Sequence, residues 1–344
     1  MPETDTNTTT DRAFFLRELE RYGPACPQPS KSSENSAGIS PQVPSRELSQ
    51  TEASLYCRMW AKRQYENFVV ASCLLPRRYR QDFYNIYAFC RWSDNLADEL
   101  DTPQESLRRL AAWQQQFLLC YGGAPTHPVL RSLQTTIQQH SLPPQPFLDL
   151  LNAFQQDQTT CRYETAAELL LYCQRSANPV GQLLLQVADV HSEEALQLSN
   201  LVCTGLQLAN FCQDMARDAL KNRIYAPRSL WKPHGVTEEM LLAGEPTDQL
   251  REMLAAWVAE AQSYFESGWG IVHQVPAWLA TDLELFVRGG VAILHKIRSQ
   301  DYDVWSHRPT LSKMHQLQLL TAATLGRVRR RRTPPPTLVS RRKR

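Results

Sequence analysis

Two short stretches of the chain carry acidic side chains at the spacing of a helical turn. Ser93-Asp94-Asn95-Leu96-Ala97-Asp98-Glu99 sets Asp94 and Asp98 four residues apart, and Asn210-Phe211-Cys212-Gln213-Asp214-Met215-Ala216-Arg217-Asp218 does the same for Asn210, Asp214 and Asp218. In a helix a four-residue step stacks side chains on one face, so each stretch offers a ladder of oxygen donors. Like charges held this way repel one another and are costly to bury, and a shared cation relieves both problems. Oxygen donors without clustered His or Cys suit Mg²⁺, which keeps several waters and completes its shell with substrate phosphate oxygens. The substrate implied is a diphosphate.

Each ladder also has an ordinary reading. Asp94 and Asp98 alone would be a solvated helix face, with Arg91 a surface i, i+3 partner of Asp94 that contributes little. Beside a metal-bound diphosphate, Arg91 would instead donate charge-assisted hydrogen bonds to the leaving group. Tyr87 and Arg91 precede Asp94 by seven and three residues and so share nearly its face. In the second stretch Gln207, Asn210, Asp214 and Asp218 form a polar stripe on a helix that otherwise carries Leu201, Val202, Leu206, Leu208 and Phe211. A buried hydrogen-bond network is the alternative there, and Arg217 is equally open to both readings. Arg223 either opposes the dipole of a helix end or attracts an anion.

Helices must deliver these ladders. Helical periods begin at Ser49 and recur at about 104–121, 127–140, 144–158, 192–220, 247–267, 278–299 and 310–326, with Pro76 and Pro103 placed to open helices. Thr165 with Glu168 reads as a capping box. No run alternates as a strand does. Residues 1–47, rich in Ser, Thr, Pro, Asn and Gln, read as a disordered leader, 48–326 as one all-α catalytic domain, and 327–344 as a basic disordered tail. That tail holds nine Lys/Arg and no acid, which leaves the rest of the chain at −7, nine below the whole-chain +2. Any basic-partner argument therefore belongs to the tail alone. The nine cysteines are scattered without a C-x-x-C pair and read as buried thiols in a reducing compartment. No apolar run approaches the length of a membrane span, and Met1-Pro2-Glu3-Thr4-Asp5 lacks the basic start and apolar core of a secretory leader, so neither membrane spanning nor secretion is expected.

Taken in order, Tyr87-Ala88-Phe89-Cys90-Arg91 before Asp94-x-x-x-Asp98, Tyr172-Cys173 with Ser176-Ala177-Asn178-Pro179-Val180-Gly181, and Gln207-x-x-Asn210-x-x-x-Asp214-x-x-x-Asp218 before Arg223-Ile224-Tyr225 resemble the squalene/phytoene synthase family. The likeness runs over about residues 60–310 and ends near Tyr302-Asp303-Val304 and Arg308-Pro309. Glu66-Asn67-Phe68, Ala71-Ser72 and Leu74-Leu75-Pro76 look most like the bacterial hydroxysqualene synthase branch of hopanoid biosynthesis. The resemblance implies an isoprenoid synthase fold, a single helical domain around a central cavity. It implies Mg²⁺ held by Asp94, Asp98, Asn210 and Asp214, with Asp218 nearby. It assigns Tyr87, Arg91, Tyr172, Gln207 and Tyr302 to catalysis, and Tyr65, Asn67, Phe68, Ala177, Arg217, Arg223 and Tyr225 to substrate binding. Two features depart from the family. Its Asp-Asp pair is Asp94-Asn95 here, and Tyr65 and Asn67 stand where many members have serines.

The activity so implied is conversion of presqualene diphosphate to hydroxysqualene with release of diphosphate. The alternatives are head-to-head condensation of two farnesyl or geranylgeranyl diphosphates to presqualene diphosphate, squalene or phytoene, and, in another class, a non-catalytic pathway scaffold. Gly268-x-Gly270 lacks the third glycine and preceding strand of a dinucleotide fingerprint and gives no support for NADPH. Expected partners are presqualene or farnesyl diphosphate, other enzymes of the squalene pathway, and a membrane surface touched transiently by the basic tail. No specific nucleic acid is expected. The expected location is cytoplasmic, peripheral at the inner membrane surface.

Overall fold

The computed structural model describes residues 6–23, 48–63, 75–312, 314, 318 and 319. Tyr65, Asn67 and Phe68, the tail from 327 and most of the helical period at 310–326 lie outside the described residues. Within them every regular element is helical: α1 (Thr6–Tyr22), α2 (Gln50–Arg63), α3 (Arg77–Asp98), α4 (Pro103–Gly122), α5 (Pro128–His140), α6 (Gln145–Gln156), α7 (Ala166–Ser176), α8 (Asn178–Val187), α9 (Glu193–Leu220), α10 (Arg228–Trp231), α11 (Glu238–Ala243), α12 (Asp248–Gly268) and α13 (Ala277–Ser299). Helix starts follow local chemistry. The hydroxyls of Thr102, Thr165, Ser192 and Thr247 each accept an N–H of the first turn that would otherwise lack a partner. Ser49 and Glu52 cap each other reciprocally. Thr165 caps as expected, but the Glu168 carboxylate reaches the N–H of Glu164 rather than that of Thr165.

The leader requires a correction, since residues 6–22 form α1. The apolar patch around Phe14 and Phe15 is the reason. Phe15 is fully buried and meets the rings of Trp60 at 6.5 Å and Trp92 at 5.3 Å, while Arg12 donates to the carbonyl of Glu99 at 3.0 Å. Burying one such ring contributes about 2 kcal/mol, and Phe14 on Trp60, buried Leu19 and Tyr22 on Tyr56 add to it, contacts that composition alone does not reveal.

The chain folds as two compact units, one of Met1–Tyr65, Gln81–Pro144 and Phe154–Thr159, the other of Glu66–Arg80, Gln145–Ala153 and Thr160–Arg344. In the first unit Trp92 and Trp113 pack around His127 at 4.3 Å and 4.7 Å between ring centroids, with Trp60 against Trp92 at 5.4 Å. Burial pushes the His127 imidazole down to about 3, so it is neutral, and its Nδ1 accepts the N–H of Val129 at the start of α5. A buried polar network ties α3 to α5. Thr136 donates to Asp82, Asn85 donates to Thr136 and to the Ser132 carbonyl, and His140 sits 3.2 Å from Asp82. These contacts occupy one face of α3 and fix what its opposite face presents.

In the second unit α9 is the central element, packed on α8, α12 and α13. Gly181 lets α8 approach it, because a Cβ there would lie 2.4 Å from the Ser199 hydroxyl and 2.7 Å from the Cys203 sulfur. Gly268 has the same packing role, its missing Cβ leaving room for Val202 at 2.8 Å. The described cysteines are unpaired, and burial pushes the thiols of Cys57, Cys90, Cys120 and Cys173 up to about 12.

Asp282 on α13 is fully buried, and neither of its carboxylate oxygens has a hydrogen-bond partner among the described residues. Burial pushes its carboxyl up to about 8. The folded protein therefore keeps a proton that the unfolded chain releases above pH ~4. Stability falls as pH rises from there to about 8, by up to about 1.4 kcal/mol per pH unit from this group. Asp282→Asn should remove that slope, so that urea midpoints of variant and parent diverge between pH 4 and 8 in the variant's favour. Parallel midpoints across that range would refute the assignment.

Candidate functional site

The first ladder lies on α3 within the first unit. Tyr87, Arg91, Asp94 and Asp98 fall within about 60° of arc at 100° per residue, and each is half-buried. The opposite face holds them there. Phe89, Trp92 and Ser93 are fully buried, and the Ser93 hydroxyl accepts the indole N–H of Trp113 at 2.9 Å while donating to the Phe89 carbonyl. Asn95 is buried at 2% exposure, rotated away from the stripe, so the amide that replaces an acid at this position leaves the Asp94 to Asp98 step intact. Arg91 donates to Asp94 at 2.7 Å. Burial pushes the Tyr87 hydroxyl up to about 12 despite the nearby Arg91 charge, which keeps it protonated and able to donate.

The second ladder lies on α9 within the second unit. Gln207, Asp214 and Asp218 are half-buried along one line, with Asn210 and Arg217 exposed to one side of it. Both oxygens of Asp214 are gripped by the Arg308 guanidinium, Nε at 2.5 Å and Nη2 at 3.0 Å. Gln213, next in sequence, donates to the Pro309 carbonyl at 2.6 Å. The segment carrying Arg308 is thus fastened to α9 on both sides. Bidentate arginine–carboxylate pairs combine charge with fixed geometry, and the same fork matches a phosphate.

Arg223 follows the end of α9, where its N–H donates to the Asp218 carbonyl at 2.8 Å after a left-handed turn at Asn222 with φ 55°. Arg162 holds that turn by donating to the Asn222 carbonyl at 2.6 Å and side-chain oxygen at 2.8 Å. Residues 161–163 then run beside 224–228, with Ile224 donating to Cys161 and Arg228 to Tyr163. That alignment presents Tyr225. Its ring stacks on Phe211 at 4.1 Å and lies 5.7 Å from Tyr172, with Tyr163 at 6.0 Å. Tyr172 and Tyr225 are 4% and 9% exposed, and the Tyr225 face is covered by Phe211 while Tyr172 is tilted against it. Tyr163 and Phe211 were not among the expected site residues. Phe211 reads as a core position on α9, and nothing periodic marks Tyr163.

Ala177 is half-buried at the junction of α7 and α8, where its N–H caps Cys173. Tyr302 is half-buried with φ 56°, six residues before Arg308. The structure thus groups Tyr87, Arg91, Asp94 and Asp98 in one unit. It groups Gln207, Asn210, Asp214, Asp218 and Arg223, and separately Tyr172 with Tyr225, in the other.

The donor chemistry fits a hard divalent cation. Among the described residues no three His, Cys, Asp or Glu side chains form a closed metal cage. Each ladder instead supplies a pair of oxygen-bearing acids, and Mg²⁺ is commonly bound by one or two carboxylates with phosphate and water completing the shell.

A family model for squalene/phytoene synthase matches residues 61–315. A hydroxysqualene synthase of Sinorhizobium fredii is 35% identical over 219 residues, covering 62% of this chain and 73% of the relative. A phytoene synthase of Arthrospira platensis is 30% identical over 289 residues, covering 76% and 90%. The crystal structure of squalene synthase HpnC from Alicyclobacillus acidocaldarius superposes with a TM-score of 0.70 at 38% identity, covering 74% of this chain and 96% of that one. With oxygen-bearing ladders on two helices, arginines at each, and a match over most of its length, the chain belongs to the squalene/phytoene synthase family.

Proposed function

We propose that the protein converts presqualene diphosphate to hydroxysqualene, using Mg²⁺ and releasing diphosphate. The observation that carries this reading is the pairing of an acid ladder with an arginine in each unit, Asp94 with Arg91 through one hydrogen bond and Asp214 with Arg308 through two, in a chain similar to a hydroxysqualene synthase. In this reading residues 48–326 act as the catalytic domain. Asp94 and Asp98 in the first unit, and Asn210, Asp214 and Asp218 in the second, would hold the metal ions. When bound, Mg²⁺ supplies Lewis-acid stabilisation of the negative charge that develops on the departing diphosphate.

The residues around it have separate tasks. Arg91, Arg223 and Arg308 donate to diphosphate oxygens, and Arg217 adds charge at the exposed rim. Tyr87, protonated because burial raises its hydroxyl, donates a hydrogen bond without becoming a competing anion. Gln207 orients the substrate, and Tyr172, Tyr225 and Tyr302 offer ring edges and hydroxyls beside the carbons that become cationic. Tyr65, Asn67, Phe68 and Ala177 complete the substrate contacts in this proposal. Water captures the rearranged cation, its oxygen forming the new C–O bond and its surplus proton passing to the diphosphate or to solvent.

A second reading, head-to-head condensation of two prenyl diphosphates, is favoured by the likeness to a phytoene synthase, whose length the chain covers to 90%. The two are separated by offering presqualene diphosphate and farnesyl diphosphate in separate tubes, with Mg²⁺ and no NADPH, and identifying the lipids by mass spectrometry. Hydroxysqualene from the first tube with the second unchanged is expected. Consumption of farnesyl diphosphate moves the protein to the condensation step.

Asp94→Ala and Asp214→Ala should each lower turnover at least ~100-fold. They should also abolish the rise in melting temperature that Mg²⁺ with a nonhydrolysable diphosphate analogue gives the parent protein. A retained rise in both would remove these acids from the metal site and revive a non-catalytic scaffold.

No described helix is long and apolar enough to cross a membrane. We assign peripheral contact with an anionic inner-membrane surface to the basic tail, each Lys or Arg contributing about 1 kcal/mol there. Deleting residues 327–344 should abolish sedimentation with anionic liposomes, and unchanged sedimentation refutes the assignment.

A further inference from the structure

Immediately after α13 the chain passes through two consecutive left-handed residues, Asp301 and Tyr302, both with φ 56° and neither a glycine. A left-handed residue with a side chain is strained, and aspartate tolerates it better than tyrosine does. The surrounding contacts hold the pair in place. Tyr302 donates its N–H to the Ile297 carbonyl at 3.0 Å, and Asp301 donates to Arg298 at 3.1 Å. The main external restraint is Arg251, in the first turn of α12. One of its nitrogens donates to the Asp301 carbonyl at 2.6 Å and to the Asp301 carboxylate at 2.8 Å, while another lies 4.0 Å from Asp303.

Asp303 relays the restraint forward. Its carboxylate accepts the N–H groups of Trp305 at 3.2 Å and Ser306 at 2.9 Å. Burial alone would raise its pKa, but those N–H groups and the Arg251 charge hold it below the usual carboxylate value, so it stays an acceptor. The chain then passes buried Val304 and delivers Arg308 to Asp214 and the Pro309 carbonyl to Gln213.

We propose that Arg251 is a positioning residue for this site. It contacts neither acid ladder, yet by locking the Asp301–Tyr302 turn it sets where Tyr302 and Arg308 stand, and hence how firmly the protein holds a diphosphate. The functional consequence rests on the diphosphate chemistry proposed above, whereas the positioning step rests on the contacts alone. A glutamine at 251 loses both the charge and the fork, and a lysine keeps the charge but not the fork.

The test is a double-mutant cycle. Inorganic diphosphate with Mg²⁺ is titrated calorimetrically into the parent, Arg251→Gln, Arg251→Lys, Arg308→Gln and the Arg251→Gln/Arg308→Gln double variant, and urea midpoints are measured on the same five proteins. Arg251→Gln should weaken diphosphate at least ~10-fold, about 1.4 kcal/mol, with Arg251→Lys in between. In the Arg308→Gln background the same change should weaken it less than ~2-fold, because the residue through which it acts is gone. Turnover should show the loss chiefly in KM. Unaltered binding in Arg251→Gln, or equal losses in both backgrounds, overturns the inference.

If the parent itself binds no diphosphate, the proposed function fails and the urea midpoints decide the positioning step. Arg308→Gln should then lower the midpoint in the parent but not beside Arg251→Gln, and equal shifts overturn it. If Arg251→Gln does not fold, Arg251→Lys takes its place in the cycle under the same criteria.

Discussion

Carboxylates one helical turn apart on a half-buried face need positive charge within reach, and much of this structure is arranged around that constraint. Taken out of bulk water, an uncompensated acid costs several kcal/mol, more than most packing contacts return. Asp94 meets it through Arg91 on its own helix, and Asp214 through Arg308, ninety-four residues further on. The local pair needs nothing beyond helical period. The distant pair needs α13 to end at the right place, a left-handed turn to redirect the chain, and Gln213 to hold the arriving segment by its Pro309 carbonyl.

The same arginine forks suit phosphate as well as carboxylate, which gives the pairs a second possible state. In the proposed function, an arginine would turn to phosphate while its acid turned to the cation, and the charges would stay compensated throughout. Neither partner is left as a bare ion in a partly dry environment. Asp282 shows the other solution. With no partner among the described residues, its carboxyl is pushed to about 8, and it remains largely uncharged near neutral pH.

What the sequence displayed was whatever repeats with the helix. The all-α class, the bounds of α4, α5, α9, α12 and α13 to within a residue or two, and the stripes on α3 and α9 all follow from period and caps. Sequence reasoning failed where a single burial or a loop contact decides the outcome. Helix α1 forms in a polar segment because Phe15 finds the Trp60 and Trp92 rings. Tyr163 joins Tyr225 because an irregular segment pairs backbone groups with residues 224–228, and no periodic signal marks such pairing. Arg251 reads as one more basic residue on an amphipathic helix, since its partners at 301 and 303 are fifty residues away.

These differences follow a division of labour between helices and loops. The oxygen-bearing side chains, Asp94, Asp98, Asn210, Asp214 and Asp218, all stand on long helices whose opposite faces are packed, so their spacing is stiff. Of the cations, Arg223 stands three residues and Arg308 nine residues past a helix end, each reached through a left-handed residue that is not glycine, Asn222 in one case and Asp301 with Tyr302 in the other. Each of those turns is itself clamped by a further arginine, Arg162 or Arg251, donating to a backbone carbonyl at 2.6 Å. A metal demands near-fixed oxygen geometry, whereas a diphosphate leaving its carbon skeleton changes position as the bond breaks. In the proposed function, rigid acids with loop-borne arginines would meet both demands, and the clamping arginines would limit how far the loops can follow.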